Sequence, residues 1–302
     1  MLNNEKREKE RLSSKGLPKR LCLTYKCNDN CIFCYDGAKR KTFSDLPLGE
    51  AKRLIIEIKN RGGNLISLGG SEPTIYPHLS EIIKFIKKSG LKFRMASNLK
   101  QCSDKNFAKK LVENGLVEVY TSLHGHNEEL HDKIARVNGS FKSRTEGMKN
   151  LAALGVKIET NTTITALNFR YLKTIADFIW QNFKPFRMRF AFLWCKANVL
   201  EAPKEIVPRI PEIRPYLKEA MSYLKKEGPY AFIEKAPICL LPEYWEDFKS
   251  EYYMLTENMK PFACHSCKFY NDDNCVGISP VYLSLYGESD LIPLKTKKWL
   301  FF

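Results

Sequence analysis

Three cysteines, Cys27, Cys31 and Cys34, stand in a C-x3-C-x2-C spacing within the segment Tyr25-Lys26-Cys27-Asn28-Asp29-Asn30-Cys31-Ile32-Phe33-Cys34-Tyr35. Three thiolates from one short loop can ligate three irons of a cubane and leave the fourth iron to a ligand from outside the protein. A structural zinc is the competing chemistry, but zinc closes a tetrahedron of four protein ligands, usually from paired C-x2–4-C arms. A second group, Cys239, Cys264, Cys267 and Cys275, follows a C-x24-C-x2-C-x7-C spacing. Four thiolates suit either an all-cysteine [4Fe–4S] cluster or a structural zinc, and the spacing leaves both open. Of the remaining cysteines, Cys22 falls inside an apolar run and reads as a small core residue, and Cys195 follows a strand pattern and is a candidate to face substrate. Cys102 has no chemical context.

The polar motifs lie between these groups. Leu68-Gly69-Gly70-Ser71-Glu72-Pro73-Thr74 combines two glycines, which let backbone approach a ligand closely, with the carboxylate of Glu72. Ser97-Asn98 precedes Leu99, and Thr121-Ser122-Leu123-His124-Gly125 is followed by His131-Asp132-Lys133-Ile134-Ala135-Arg136. Asn161 and Thr163 form a polar pair two residues apart. His124, His126 and His131 could act as acid or base near neutral pH, although a purely structural role is the favoured reading.

What must position these residues is an alternation of short β-like runs with amphipathic helical stretches, the pattern of βα units around a parallel sheet. Strands are expected at 21–25, 65–68, 92–96, 117–122, 156–163 and 187–193, with helices at 48–59, 79–88, 104–113, 141–154 and 170–182. Gly90, Gly115 and Gly155 each follow a helix and precede a strand, where a left-handed cap favours glycine. Six such units imply a partial (β/α)6 barrel of the TIM type, in which chemistry sits on loops after the C-terminal ends of strands. The first cysteine triad, the Gly-Gly-Ser-Glu-Pro segment, Ser97-Asn98 and Ser122 all follow or end predicted strands. The expected organisation is a basic tail over 1–18, the partial barrel over 19–196 and a cysteine-containing extension over 197–302, with the alternation stopping near Lys196.

Taken together, the cysteine triad after the first strand and the Gly-Gly-Ser-Glu-Pro segment after the second resemble the radical S-adenosylmethionine (SAM) superfamily. The resemblance covers about Lys19 to Cys195. It implies a [4Fe–4S] cluster on Cys27, Cys31 and Cys34 whose open iron is chelated by SAM. Phe33 matches the position packed near the adenine, and Gly69, Gly70 and Glu72 match the motif near the methionyl amine, with Ser71 inserted. Asn98 matches a TNG-like motif in which Leu99 replaces the usual glycine. Ser122 and Arg136 match residues that hold SAM, the arginine through its carboxylate, and Asn161 and Thr163 match a pair that reaches the ribose or adenine. The second cysteine group is similar to the twitch and SPASM branch, whose extension holds an auxiliary cluster near substrate. The chain has four candidate ligands there rather than the seven of a full SPASM domain, so at most one auxiliary cluster is expected.

The implied reaction is reductive cleavage of SAM to a 5′-deoxyadenosyl radical that abstracts hydrogen from a small molecule, such as a nucleobase or nucleoside derivative. The alternatives are a peptide maturase and a lyase acting on a deazapurine base, as in queuine salvage. An electron donor such as flavodoxin or ferredoxin is implied. The chain has 302 residues and a formal net charge of +15. Residues 1 to 20 carry seven basic and three acidic side chains. A cysteine-rich zinc protein that binds nucleic acid would use the same charge, but the barrel-like alternation and the Gly-Gly-Ser-Glu-Pro segment speak against it. Ten cysteines in a chain without an apolar leader or membrane-length apolar run indicate free thiols and metal ligation in a reducing cytoplasm rather than a disulfide framework.

Overall fold

The computed structural model describes residues 20–249 and 258–295; the expected basic tail lies outside them. Eight strands follow chain order in a sheet: β1 Leu21–Thr24, β2 Leu65–Gly70, β3 Lys92–Ala96, β4 Leu116–Ser122, β5 Lys157–Ile164, β6 Arg187–Phe192, β7 Tyr230–Glu234 and β8 Phe248–Lys249. The helices are α1 Leu48–Asn60, α2 Leu79–Lys88, α3 Lys105–Glu113, α4 Glu128–Ala135, α5 Ser140–Ala153, α6 Leu172–Phe183, α7 Pro203–Ile206, α8 Ile210–Glu227 and α9 Pro280–Tyr286. This is the α/β arrangement expected of a partial barrel. The alternation does not stop at Lys196: α8, β7 and β8 extend it.

The chain divides into two compact units. The first comprises Met1–Asp29, Ala38–Thr121 and Lys142–Glu159, and the second Asn30–Gly37, Ser122–Phe141 and Thr160–Phe302. In the first, β1 to β4 pair in parallel, with Leu21 opposite Leu68, Leu65 opposite Lys92 and Met95 opposite Val119. Its helices bury one stripe each. In α2, Leu79, Ile82, Ile83 and Ile86 recur at helical spacing and are buried, Lys87 and Lys88 sit in the last turn where they complement the helix dipole, and Gly90 beyond it takes φ +75°.

In the second unit, β6, β7 and β8 pair in parallel, with Arg189 opposite Phe232 and Ala191 opposite Glu234. The helix α8 buries Ile210, Ile213, Leu217, Ala220, Met221 and Leu224. Its carboxyl end is capped by Gly228 at φ +100°, whose N–H donates to the Leu224 carbonyl.

Candidate active site

In the first unit the loops after β1, β2 and β3 are fastened to one another. Gly70 closes β2 at φ +113°, and a Cβ there would lie 2.1 Å from the Thr24 carbonyl oxygen, so this position requires glycine. Gly69 is buried opposite Cys22 of β1. The following N–H groups donate back to the β1 loop, Ser71 to Thr24 O at 2.9 Å and Glu72 to Lys26 O at 3.1 Å. Glu72 is fully buried. Its Oε1 accepts from Thr74 N at 2.9 Å, Thr74 Oγ1 at 2.6 Å and Ser97 Oγ at 2.7 Å, and its Oε2 accepts from Asn98 N at 2.6 Å. Burial pushes the Glu72 carboxyl up from its ordinary range, while the donors of Thr74, Asn98 and Ser97 pull against that shift.

Asn98 reaches the cysteine loop. Its Nδ2 donates to Asn28 Oδ1 at 2.6 Å and Asp29 Oδ2 at 3.1 Å, and lies 3.9 Å from Cys27 Sγ. Leu99, where the resemblance expects glycine, is buried in the left-handed region at φ 61°. Burial pushes the Cys27 thiol up to about 11; the Asp29 N–H, donated to Cys27 Sγ at 3.4 Å, opposes the rise, and the charges of Glu72 and Asp29 add to it.

Asp29 itself was not among the expected site residues. It is buried, accepts from Lys100 Nζ at 2.9 Å and from the Arg144 guanidinium on α5, and its carbonyl accepts from Arg40 NH1 at 2.7 Å. The signal available in the sequence was the run of polar residues inside the cysteine loop.

The second unit holds the rest of that loop. Asn30 N and Ile32 N donate to the carbonyls of Ala135 and Ile134, each at 3.0 Å. Asn198 Nδ2 donates to the Cys31 carbonyl at 2.9 Å. Cys27 of the first unit and Cys31 and Cys34 of the second are each half-buried and in no disulfide, and soft thiolate donors of this kind suit an iron–sulfur cluster. Phe33 packs edge-on against His124, ring centroids 4.7 Å apart, and His124 stacks on His131 at 5.8 Å. Each ring's Nδ1 accepts a backbone N–H, that of Thr163 for His124 and that of His124 for His131, a use that organises backbone. His126 lies beside the Tyr171 ring at 5.5 Å.

Ser122 is half-buried at the end of β4. Arg136 caps α4 at φ 54° and pairs with Glu201 at 3.2 Å near the surface. Asn161 and Thr163 share a face of β5, and Asn161 Nδ2 donates to Thr163 Oγ1 at 3.1 Å. Asn161 is buried, and its Oδ1 has no hydrogen-bond partner among the described residues.

Cys239, Cys264, Cys267 and Cys275 line one cavity of the second unit, with Lys260, Phe269, Tyr270, Gly277 and the Leu291–Pro293 segment. Burial pushes Cys239 up to about 12 and Cys264 up to about 11, and the neighbouring thiols add to both shifts. Local turns build the cavity: Cys267 N donates to Cys264 O at 2.9 Å, Cys275 N donates to Asp272 O at 3.1 Å, and Cys267 Sγ accepts from Leu294 N at 3.4 Å. Arg214 of α8 donates to the carbonyls of Cys239 and Asp290, each at 3.1 Å, and Asp290 takes a bidentate pair from Arg209 and the Tyr282 hydroxyl.

A buried ion pair, Arg189 NH1 to Glu234 Oε2 at 2.7 Å, joins β6 to β7. Glu234 is the last residue of β7, and its Oε1 has no partner among the described residues. Cys22 lies within β1. Burial raises Cys102 to about 12 and Cys195 to about 11, the latter despite a hydrogen bond with Ser279.

A family model described as the radical SAM superfamily matches residues 21–179. A curated Fe-coproporphyrin III synthase of Methanosarcina barkeri is 32% identical over 158 residues, covering 52% of this chain and 39% of that protein. The mycofactocin maturase MftC of Mycobacterium tuberculosis is 28% identical over 167 residues, covering 54% of this chain and 42% of that protein. The match to these curated relatives thus spans about two-fifths of their length. Among solved structures, Streptococcus suis SuiB bound to its precursor peptide SuiA superposes with a TM-score of 0.59 at 18% identity, covering 80% of this chain and 56% of that one. That likeness shows the partial-barrel fold.

Proposed function

Because this chain belongs to the radical SAM superfamily, we propose that it binds a [4Fe–4S] cluster through Cys27, Cys31 and Cys34 and cleaves SAM there. A cluster held by these thiols would supply the one-electron reduction that cleaves SAM and so permits hydrogen abstraction from a small-molecule substrate. The observation that carries this reading is the cysteine loop: its thiols are half-buried, Lys100 and Arg40 bind the carbonyls of Asn28 and Asp29 and Asn98 binds their side chains, and the Asn30 and Ile32 N–H groups and the Cys31 carbonyl are taken up by Ala135, Ile134 and Asn198.

The chain's own residues then hold SAM. Gly69 and Gly70 bring backbone to the methionyl amine while Glu72 fixes the turn, Phe33 flanks the adenine, and Ser122 hydrogen-bonds the cofactor. The spare, buried Oδ1 of Asn161, beside Thr163, supports a ribose or adenine contact. Arg136 takes the SAM carboxylate by exchanging it for Glu201. The Cys239, Cys264, Cys267 and Cys275 cavity holds an auxiliary [4Fe–4S] cluster. In support, the four thiols line one cavity, and four thiolates are the ligand set of an all-cysteine [4Fe–4S] cluster.

A peptide substrate is the second reading, supported by the likeness to SuiB, solved with a precursor peptide, and to the maturase MftC. An electron carrier such as flavodoxin or ferredoxin and a reducing cytoplasmic setting complete the proposal; no helix among the described residues is long and apolar enough to cross a membrane.

The test is iron and acid-labile sulfide per chain on anaerobically reconstituted protein, with SAM cleavage recorded beside it. About eight irons are expected, falling to about four with loss of cleavage when Cys27, Cys31 and Cys34 are all changed to alanine. About four falling to none would remove the auxiliary cluster from the proposal. Zinc without iron would overturn the enzyme reading.

A further inference from the structure

We propose that Asp29, with the two cations it gathers, sets the reduction potential of the SAM cluster; this rests on Cys27 being a ligand of that cluster. Asp29 is two residues from Cys27 in the chain and is 3% exposed. Its Oδ1 accepts from Lys100 Nζ at 2.9 Å, and its Oδ2 accepts from Arg144, whose side chain is also 3% exposed, and from Asn98. Lys100 Nζ additionally grips the Asn28 carbonyl at 2.9 Å, while the Asp29 N–H points at Cys27 Sγ at 3.4 Å. One residue therefore couples a buried guanidinium and a partly buried ammonium to a hydrogen bond on the ligand sulfur.

Loop fastening alone does not account for such a group. Taking a carboxylate, a guanidinium and an ammonium out of water is costly, and well-packed apolar side chains hold a loop at least as well. What apolar packing cannot supply is charge beside an iron–sulfur centre. The reduced cluster carries one more negative charge than the oxidised one, so nearby cations favour the electron and a nearby anion opposes it, and an N–H donated to a ligand sulfur also favours reduction. Buried charges act at low effective dielectric and are little screened by salt. Lys100 and Arg144 thus raise the potential and ease electron entry, while Asp29 tempers them and aims its own N–H at Cys27. These are positioning residues that act through Cys27, and their influence has a sign.

The experiment is an EPR-monitored redox titration of the reconstituted holoprotein, following the reduced-cluster signal that changes on adding SAM, which separates this cluster from any other. Lys100→Met is expected to lower the midpoint potential, Asp29→Asn to raise it, and Arg144→Lys to leave it near wild type. Shifts of Lys100→Met and Asp29→Asn in the same direction, or no shift in either, would overturn the proposal, because a purely structural clamp has no reason to respond with opposite signs. Should Asp29→Asn fail to take up iron, Lys100→Met and the charge-preserving Lys100→Arg carry the test: a lowered potential restored by arginine supports it, and equal potentials refute it. A wild-type protein whose EPR signal does not respond to SAM sinks the cluster assignment itself, an outcome distinct from a responsive cluster indifferent to these substitutions.

Discussion

Replacing Glu72 by glutamine keeps its volume and removes its charge. In the native turn its two oxygens accept four hydrogen bonds, from Thr74 N, Thr74 Oγ1, Ser97 Oγ and Asn98 N. Glutamine offers one acceptor oxygen. With that oxygen in the position of Oε1, its NH2 faces the Asn98 N–H, donor against donor, and leaves a buried amide unsatisfied at a cost of about 1–3 kcal/mol. The three remaining bonds pass from charged to neutral and weaken, which brings the total to about 2–4 kcal/mol. Unfolding entropy of about 2.1 cal/mol/K per residue gives about 0.6 kcal/mol/K for 302 residues, so the melting temperature should fall by about 3–7 °C. The assay is thermal unfolding by far-ultraviolet circular dichroism on cluster-free protein, so that iron loss does not enter. Glu72→Ala, which orphans all four donors, should melt lower still. Thr74→Val, which deletes one donor, should be less than additive with Glu72→Gln. A Glu72→Gln protein melting within about 1 °C of wild type would refute the view that this carboxylate fastens the loops after β2 and β3.

Burial pushes the Asp45 carboxyl up, but hydrogen bonds from Thr24 and Lys26 and the Lys26 charge outweigh it and hold the carboxyl below its ordinary value of 3.8. Stability from a depressed carboxylate is present above the unfolded value and lost as pH falls through the folded one. The melting-temperature gap between wild type and Asp45→Asn should therefore close between about pH 5 and pH 2. Arg189→Met or Glu234→Met alone should cost about 3–5 kcal/mol in denaturant unfolding, and the double substitution should recover most of it, because an uncompensated buried charge is what the single changes leave behind. Leu99→Gly relieves about 1–2 kcal/mol of left-handed strain but empties a fully buried leucine site, so chemical denaturation should show a net loss of about 2–4 kcal/mol. Cys267→Ser should lower bound iron from about eight to about four per chain while 5′-deoxyadenosine formation from SAM without substrate persists.

The strands to β6 and the helices α1, α2, α3, α5 and α6 were legible because each carries its own period, whereas α4, Glu128–Ala135, was not among the expected helices. The stripe of α2 is complete in ten residues, and its expected and observed ends coincide at Leu79 and Lys88. The strand Tyr230–Glu234 was not legible: it is five residues long, and its closing glutamate reads as a surface residue until Arg189, 45 residues earlier, is placed beside it. The cysteine groups were visible through spacing alone. The partners of Asp29 were not, since Asn98, Lys100 and Arg144 lie 69, 71 and 115 residues away and meet it only through the fold. Leu99 falls between these cases. The sequence shows that glycine is missing from that position, and only the backbone shows that a leucine there must occupy φ 61° while the Gly147 of α5, whose Cβ would sit 2.2 Å from the Leu99 carbonyl oxygen, makes room.

A chain with a net charge of +15 buries cations, Arg144 and Arg189, each beside an acid, and several of its loops are organised around carboxylates. Asp29 and Glu72 collect donors in the first unit. In the second, Asp132 accepts from Gly139 N at 2.6 Å and Phe141 N at 2.7 Å, and Asp290 accepts from Arg209 and Tyr282. For Glu72 and Asp132, which accept backbone N–H groups, the cause lies in the backbone. Loops that leave strand ends lose the partners of the ladder, and each orphaned N–H is costly when buried. A carboxylate offers up to about four acceptor positions, whereas lysine and arginine offer none. Acids therefore accumulate where several loops converge, whatever the charge of the surface. A motif glutamate such as Glu72 is then fully accounted for as a fastener, and a direct contact between it and a ligand would have to displace one of four native donors. The unpartnered oxygens of Asn161 and Glu234, which have no such duty among the described residues, are the better places to look for atoms that meet cofactor or substrate.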